Sequence, residues 1–336
     1  MVRKLLYPFS FIWGGIHSFR RFAYRMEIYP SKKFKVPVIS IGNLSFGGTN
    51  KTPFTLFLSQ LLNKKVVVLM RGYKGKLENK GGILKVASPL DFGDEAVLLF
   101  NSNPEIDVIV GKKRSQNLEK YYPQIKSDVV LLDDGFQHLA VKRDLDIVLL
   151  DATMDLLKYK TFPVGNLREN LSSLSDADVV VYTRCDQVDP SRLEKLKSLI
   201  SPYLRRGVIS VESELAPSGV FNHENQMDLD FLKGKKVHAF CGIGNPQSFF
   251  SSVEKLGGKI YKKNIFRDHH FFSEKELTRM LKDKGSKDTI FLTTEKDFVR
   301  IPKTFQNGRI YYLGARIKIL KGLDELEEKI KTVIHS

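Results

Sequence analysis

Two stretches of the chain carry residue types at spacings that suit phosphoryl chemistry. In the first, Ser45, Phe46, Gly47, Gly48, Thr49, Asn50, Lys51 and Thr52 follow an apolar strand over Val36–Ile41 and precede an amphipathic helix opening near Lys51. Backbone N–H groups in such a turn and at a helix start converge on anionic oxygens, the lysine adds a mobile charge, and the hydroxyl can hold Mg²⁺. The phosphate-loop pattern G-x-x-x-x-G-K-[ST] is met with Ser45 at the first glycine position and Asn50 at the second. Gly47 and Gly48 keep the backbone free between them, and Asn accepts positive φ more readily than other non-glycine residues. The plainer reading of the stretch is a Gly/Asn turn before a helix whose Lys and Thr are solvated.

The second stretch is Leu131–His138, LLDDGFQH. An acidic residue ending an apolar strand, in the same domain as a phosphate loop, is where a carboxylate meets the nucleotide's Mg²⁺. Asp133 and Asp134 leave the strand end in different directions, so one can serve a metal and the other the reacting groups. The plainer reading is an Asp-Asp-Gly turn.

Other candidates are weaker. Asp94 and Glu95 open a helix after Gly93, so Asp94 is either a helix cap or a base within reach of an acceptor hydroxyl. Arg114 ends Gly-Lys-Lys-Arg at another helix start, facing either phosphate or water. Phe162–Asn170, FPVGNLREN, turns through Pro163, Gly165 and Asn166 and could present Arg168 and Glu169 to a ligand. Asp268, His269 and His270 suggest metal binding, but manganese phosphoesterases with Asp-His-His need further aspartate motifs upstream; a histidine orienting a carboxylate is the better use. Thr293–Asp297 has Lys and Asp adjacent, so the spacing of a guanine-reading N/T-K-x-D motif fails there. Gly242–Pro246 is a tight turn at a sheet edge.

The elements around these residues alternate. Lys65–Met70, Ile106–Val110, Val129–Leu132 and Ile147–Leu150 are short apolar runs suited to strands buried on both faces, with helices over Asp94–Asn101 and Lys113–Tyr122 between them. A second run has strands at Val179–Tyr182, Val208–Val211, Val237–Phe240 and Ile290–Thr293. Its helices lie near Ser191–Leu199, Pro246–Leu256 and Ser273–Lys284. Gly72–Pro89 reads as a mobile flap, Ser213–Asp230 as a connector or exposed hairpin, and Lys321–Val333 as a helix with a solvated face.

The chain has 336 residues, enough for two domains, and 42% hydrophobic with 27% charged residues excludes both disorder and a multi-span membrane protein. A net charge of +16 points to an anionic partner without choosing one. No nucleic-acid module is present, and Cys185 and Cys241 have no metal-like spacing. Leu5–Phe19 is too short and too broken by Pro8, Gly14, Gly15 and His17 to span a bilayer. With Arg20, Arg21 and Arg25 it suits a helix lying in an anionic headgroup layer, or an ordinary buried helix.

Taken in order, GNLSFGGTNKTP, RGY, GDEA, GKKR, LDDGFQH, RDLDIVLLDA, PVGNLRE, DADVVVYTR, GIGNP, DHHFF and TTEKDFVRI resemble the tetraacyldisaccharide 4′-kinases, the lipid A kinases of Gram-negative bacteria. The similarity runs from about Val36 to Asp297, and the aromatic, basic N-terminus also fits. Where the family usually has Gly before the loop lysine, this chain has Asn50.

The resemblance implies an α/β fold of two α/β/α domains, a P-loop NTPase-like parallel sheet plus a smaller second α/β domain, with the cleft between them. The chain divides accordingly into an interface helix (1–30), a P-loop kinase domain (31–152), a second domain (153–300) and a C-terminal strand and helix (301–336). It implies transfer of the ATP γ-phosphoryl group to the 4′-hydroxyl of an acylated glucosamine disaccharide 1-phosphate, at the cytoplasmic face of the bacterial inner membrane. Residues 45–52 and Arg114 would bind ATP, and Thr52, Asp133 and Glu95 would hold Mg²⁺. Asp134, Asp94 as base and His269 as its partner would be catalytic, with Asn166 and Arg168 on the substrate. No nucleic acid or obligate protein partner is expected. The rival is a P-loop NTPase switch or chaperone acting on a protein partner.

Overall fold

The computed structural model describes residues 5–282, 289–306 and 308–335. Helix α1 (Tyr7–Arg25) leads into strand β1 (Val38–Asn43), helix α2 (Lys51–Leu61), β2 (Val66–Met70) and β3 (Gly82–Ile83). Next come α3 (Pro89–Phe92), α4 (Asp94–Ser102), β4 (Asp107–Val110), α5 (Arg114–Ile125), β5 (Val129–Asp133), β6 (Leu145–Asp151) and β7 (Val179–Thr183). The second half carries α6 (Pro190–Ile200), β8 (Ile209–Phe221), β9 (Gln226–Met227), β10 (Lys236–Cys241), α7 (Pro246–Lys255) and β11 (Lys259–Ile265). It closes with α8 (Glu274–Leu281), β12 (Ile290–Thr294), α9 (Glu295–Phe298), β13 (Ile310–Lys321) and α10 (Leu323–His335). The helix expected to reach Lys284 ends at Leu281, and its last expected residues fall outside the described residues.

Among the described residues the strands join one 13-stranded sheet in the order β11-β10-β12-β13-β8-β7-β6-β1-β5-β2-β4-β3, with β9 beside β8. β2, β5 and β7 are buried at every residue, which is why their sequences are apolar until β5 ends in Asp133 and β7 in Thr183. Pairing is parallel except where β13 meets β8, β3 meets β4 and β9 meets β8. The ladder does not pause at residue 152, because β7 pairs with β6 and β8 with β7.

Two expectations are corrected. Ser213–Asp230 is not a connector: β8 runs to Phe221, turns back as a hairpin with β9, and lies antiparallel to β13 from Glu212↔Lys321 to Phe221↔Tyr312. Its polar sequence hides the strand because this ribbon joins the two halves, and cross-strand charges such as Lys318–Glu214 (3.4 Å) support it. Gly72–Pro89 is not a loose flap. Lys76 and Leu77 donate backbone N–H bonds to Leu90 and Asp91 (3.0 and 2.9 Å), β3 pairs with β4, and Leu84 is buried.

Helix α1 is inverted relative to a core helix. Ser10, Gly14, Arg21 and Ala23 face the protein, while Phe9, Phe11, Ile12, Ile16, Phe19 and Phe22 are exposed, Phe11 at 84%. The buried-helix alternative is thereby excluded for its apolar face. Arg21 fixes the docking: it donates to Glu169 (2.5 Å), to Asp176 (2.6 Å) and to the Phe136 carbonyl (3.0 Å). Glu169 is therefore buried against α1 and not presented to a ligand. No described helix is long and apolar enough to cross a membrane. Arg21→Ala would leave Glu169 buried without its cation, and urea unfolding should show a loss of about 3 kcal/mol.

Candidate active site

The phosphate-loop candidate hangs between β1 and α2, as read from sequence. Asn50, just before the helix, sits in the left-handed region (φ 63, ψ 30), which explains how Asn replaces glycine there. Gly47 has φ +102, a conformation a side chain would strain. The segment 161–170 clamps the loop from outside. Phe46 donates its N–H to the Asn166 carbonyl (2.8 Å), and Arg168 donates its own to the Leu44 carbonyl (2.6 Å). The side-chain oxygen of Thr49 and the side-chain nitrogen of Asn50 are buried without protein partners.

Strand β5 ends beside β1 in the register Ile41↔Asp133, which places the two carboxylates under the loop. The Thr52 hydroxyl donates to Asp133 Oδ2 at 3.4 Å. Asp134 holds the cations: Lys51 Nζ lies 3.4 Å from Oδ1, and Arg168 donates to both oxygens at 3.0 and 3.1 Å. Burial opposes ionisation of both, yet their outcomes diverge. Lys51 and Arg168 outweigh burial at Asp134 and bring it down to about 2. At Asp133, burial and then the negative charge of Glu95 push it up to about 7.

A third group comes from both halves of the chain. Gly93 (φ +86) turns the backbone where a Cβ would meet the Tyr73 carbonyl at 2.8 Å, and Asp94 opens α4 directly after it. His269 Nδ1 is 2.9 Å from Asp94 Oδ2. Arg300 donates to the same Oδ2, and also to Asp297 (2.9 Å) and the Gly242 carbonyl (3.4 Å). Burial again works against Asp94 ionising, but the His269 hydrogen bond and the Arg300 charge hold it far below the usual carboxylate range. With Nδ1–H donated to Asp94, His269 keeps Nε2 as a proton acceptor.

A divalent cation fits the ground between Thr52, Asp133 and Glu95. Asp133 Oδ1 is buried with no hydrogen-bond partner, and the mutual repulsion of the two carboxylates is what a cation relieves. Among the described residues no group of three or more His, Cys, Asp or Glu side chains is placed to hold a metal. A hydroxyl and two carboxylates completed by phosphate oxygens is nevertheless a normal setting for Mg²⁺.

A family model described as tetraacyldisaccharide-1-P 4′-kinase matches residues 2–335. The chain belongs to this kinase family. A tetraacyldisaccharide 4′-kinase of Methylobacillus flagellatus is 36% identical over 338 residues, covering 97% of this chain and 93% of that protein. One from Desulfotalea psychrophila is 34% identical over 331 residues, covering 95% and 94%. A crystal structure of LpxK from Aquifex aeolicus, described as its "apo" form in complex with ATP, superposes with a TM-score of 0.82 at 31% identity, covering 99% of this chain and all of that one.

Within this tetraacyldisaccharide-1-P 4′-kinase framework, the structure gathers the residues picked from sequence. Residues 45–52, Asp133, Asp134 and Arg168 meet at one end of the sheet, Arg114 is buried with Asp133 and Asp134 acting on its charge, and Asp94 pairs with His269 rather than His270, which faces Glu276. Asn166 reaches the loop through its backbone. Sequence reasoning missed Arg300 and Lys296, the latter 3.2 Å from Glu95. The available signal was TTEKDFVR, whose Asp297 and Arg300 lie one helical turn apart.

The carboxyl of Asp133 yields a stability test. Because its folded value (about 7) exceeds the unfolded 3.8, the folded chain binds the extra proton and stability falls as pH rises through that interval, by at most about 4 kcal/mol. Metal-free Asp133→Asn should therefore unfold at higher urea than the parent at pH 8, with the gain vanishing near pH 4.

Proposed function

We propose that this chain is an ATP-dependent kinase that phosphorylates the 4′-hydroxyl of an acylated glucosamine disaccharide 1-phosphate, working at a lipid surface on the cytoplasmic side of the inner membrane. Family membership carries the reaction, and the single structural observation that supports it best is the convergence of Lys51 and Arg168 on Asp134 beneath the loop. Phosphoryl transfer is mostly positioning and charge stabilisation, and these are the groups it requires.

In this reading residues 45–52 wrap the ATP phosphates, with Lys51 leaving Asp134 to meet the β and γ oxygens. Arg114 and Arg168 add charge on either side of the transferring group. Thr52, Asp133 and Glu95 would hold Mg²⁺, and the ion would supply charge neutralisation for the phosphate oxygens. The Asp94–His269 pair receives the acceptor's proton. Asp94 is a weak base by itself, but a loose transition state releases that proton late, so orientation matters more than basicity. Asn166 and Arg168 contact the acceptor.

The acceptor carries acyl chains, and α1 suits that. Its exposed apolar face connects to the loop through rings: Trp13 stacks edge-on against Phe162 (5.7 Å), and Phe162 against Phe46 (5.7 Å). The Trp13 indole also donates to the Arg168 carbonyl (2.9 Å). A helix of this kind lies in the headgroup layer, and positive net charge favours anionic lipid. Functionally we divide the chain as an interface helix (1–30), a nucleotide half (31–152), a second half closing the cleft (153–300) and a C-terminal strand and helix (301–336).

The direct test is transfer of label from γ-labelled ATP to disaccharide 1-phosphate lipid with Mg²⁺. Lys51→Ala and Asp134→Ala should abolish it, whereas Asp94→Asn should lower turnover by about a hundredfold while nucleotide binding persists. ATP turnover that ignores the glycolipid and responds to a protein would favour the switch reading. Removing the residues before Tyr29 should weaken binding to anionic vesicles in a flotation assay, and unchanged flotation would remove α1 as the anchor.

A further inference from the structure

We infer that Trp13 is a positioning residue that couples the lipid contact of α1 to the phosphate loop, so that a lipid surface tightens nucleotide binding before any acceptor is present. The inference rests on the reading of α1 as the lipid-facing helix and extends it to regulation of the site.

Helix α1 is wired to both segments that flank the loop. Towards residues 161–170, the Trp13 indole donates to the Arg168 carbonyl (2.9 Å), the Ser10 hydroxyl to the Thr161 carbonyl (2.7 Å) and the Asn170 amide to the Ser18 hydroxyl (3.1 Å). Towards the turn after β5, Arg20 and Arg21 donate to the carbonyls of Gln137 and Phe136, both at 3.0 Å. The fit leaves no slack. A Cβ added to Gly14 would lie 2.4 Å from Asn170 Oδ1, an oxygen already held by the Thr161 hydroxyl (2.6 Å).

Arg168 is where these contacts reach the site. Its backbone is gripped on both sides, the N–H by the Leu44 carbonyl just after β1 and the carbonyl by Trp13. The guanidinium carried by that backbone donates to both oxygens of Asp134 and lies over the Phe46 ring (5.6 Å). Phe46 belongs to the phosphate loop, and Phe162 stands between its ring and that of Trp13. A shift of Trp13 therefore moves a site cation and a loop residue together.

Lipid supplies the bias between seated and unseated states. Trp13 is partly exposed, with Phe9 and Ile16 exposed one turn to either side of it. In water the indole N–H has solvent as an alternative partner. Where lipid excludes water, its bond to the Arg168 carbonyl is stronger, so the state that presents Arg168 is favoured once the helix is covered. Linkage is reciprocal: nucleotide must then tighten lipid binding by the same factor.

The test measures, by calorimetry with Mg²⁺, the Kd of a non-hydrolysable ATP analogue with and without anionic vesicles that contain no acceptor. Vesicles should tighten the nucleotide about fivefold, and the nucleotide should tighten vesicle binding equally. Trp13 is the chain's single tryptophan, so its emission should shift when nucleotide is added to vesicle-bound protein. Trp13→Phe keeps an apolar ring but has no N–H to donate. It should float with vesicles as the parent does and lose most of their effect on nucleotide Kd. Gly14→Ala, which leaves every lipid-facing side chain in place, should lose that effect too. A parent that floats with an unchanged nucleotide Kd, or a vesicle effect retained in Trp13→Phe, overturns this inference alone. A parent that does not float overturns the anchor reading and this inference with it.

Discussion

A single guanidinium holds the two halves of the site in register. Arg300 is fully buried and touches Asp94 from the phosphate-loop half, Asp297 in the short helix just before it and the Gly242 carbonyl just after β10. Asp94 and Arg300 are 206 positions apart in the chain, so nothing local brings them together. Two carboxylates and one guanidinium out of water are expensive unless each finds its partner, and removing one member would strand the others. The arrangement makes the Asp94–His269 pair conditional on correct docking of the halves. A chemical requirement is thereby converted into a folding requirement.

Backbone strain marks the same region. Asn50, Asp134, Arg184 and His269 all have positive φ without being glycine. Each lies on a turn at a strand end or helix start, where the flanking sheet over-determines the conformation and can sustain the cost. Three of these turns follow the ends of β5, β7 and β11 and the fourth opens α2 after β1, and open α/β sheets place their ligands at such strand ends.

Much of this is legible in the chain itself. Continuous apolar runs such as VVVLM and VVLL locate the central strands because burial on both faces leaves no polar alternation. The loop before Lys51 is legible because phosphate binding demands residues at close sequence spacing. Arg300 and Lys296 escaped because their meaning depends on partners from the other half of the chain, which spacing cannot reveal. The β8–β13 ribbon escaped for a different reason: its residues are half-exposed and charged, so hydrophobic periodicity is silent although the backbone pairing is extensive. The turn after Gly72 was misjudged because glycine and lysine content reports flexibility only when backbone hydrogen bonds are not counted.

Strand β11 shows what some of the positive charge is for. Among the described residues it forms one margin of the sheet, and Lys259, Lys262 and Lys263 are exposed along it, while the opposite margin is the two-residue β3. An open row of amide and carbonyl groups on so wide a sheet would otherwise template the addition of strands from other molecules, and lysines there deter it. Part of the basic character that suggests anion binding is thus protection against self-assembly. Neutralising those lysines would remove that deterrent without touching a residue of the site.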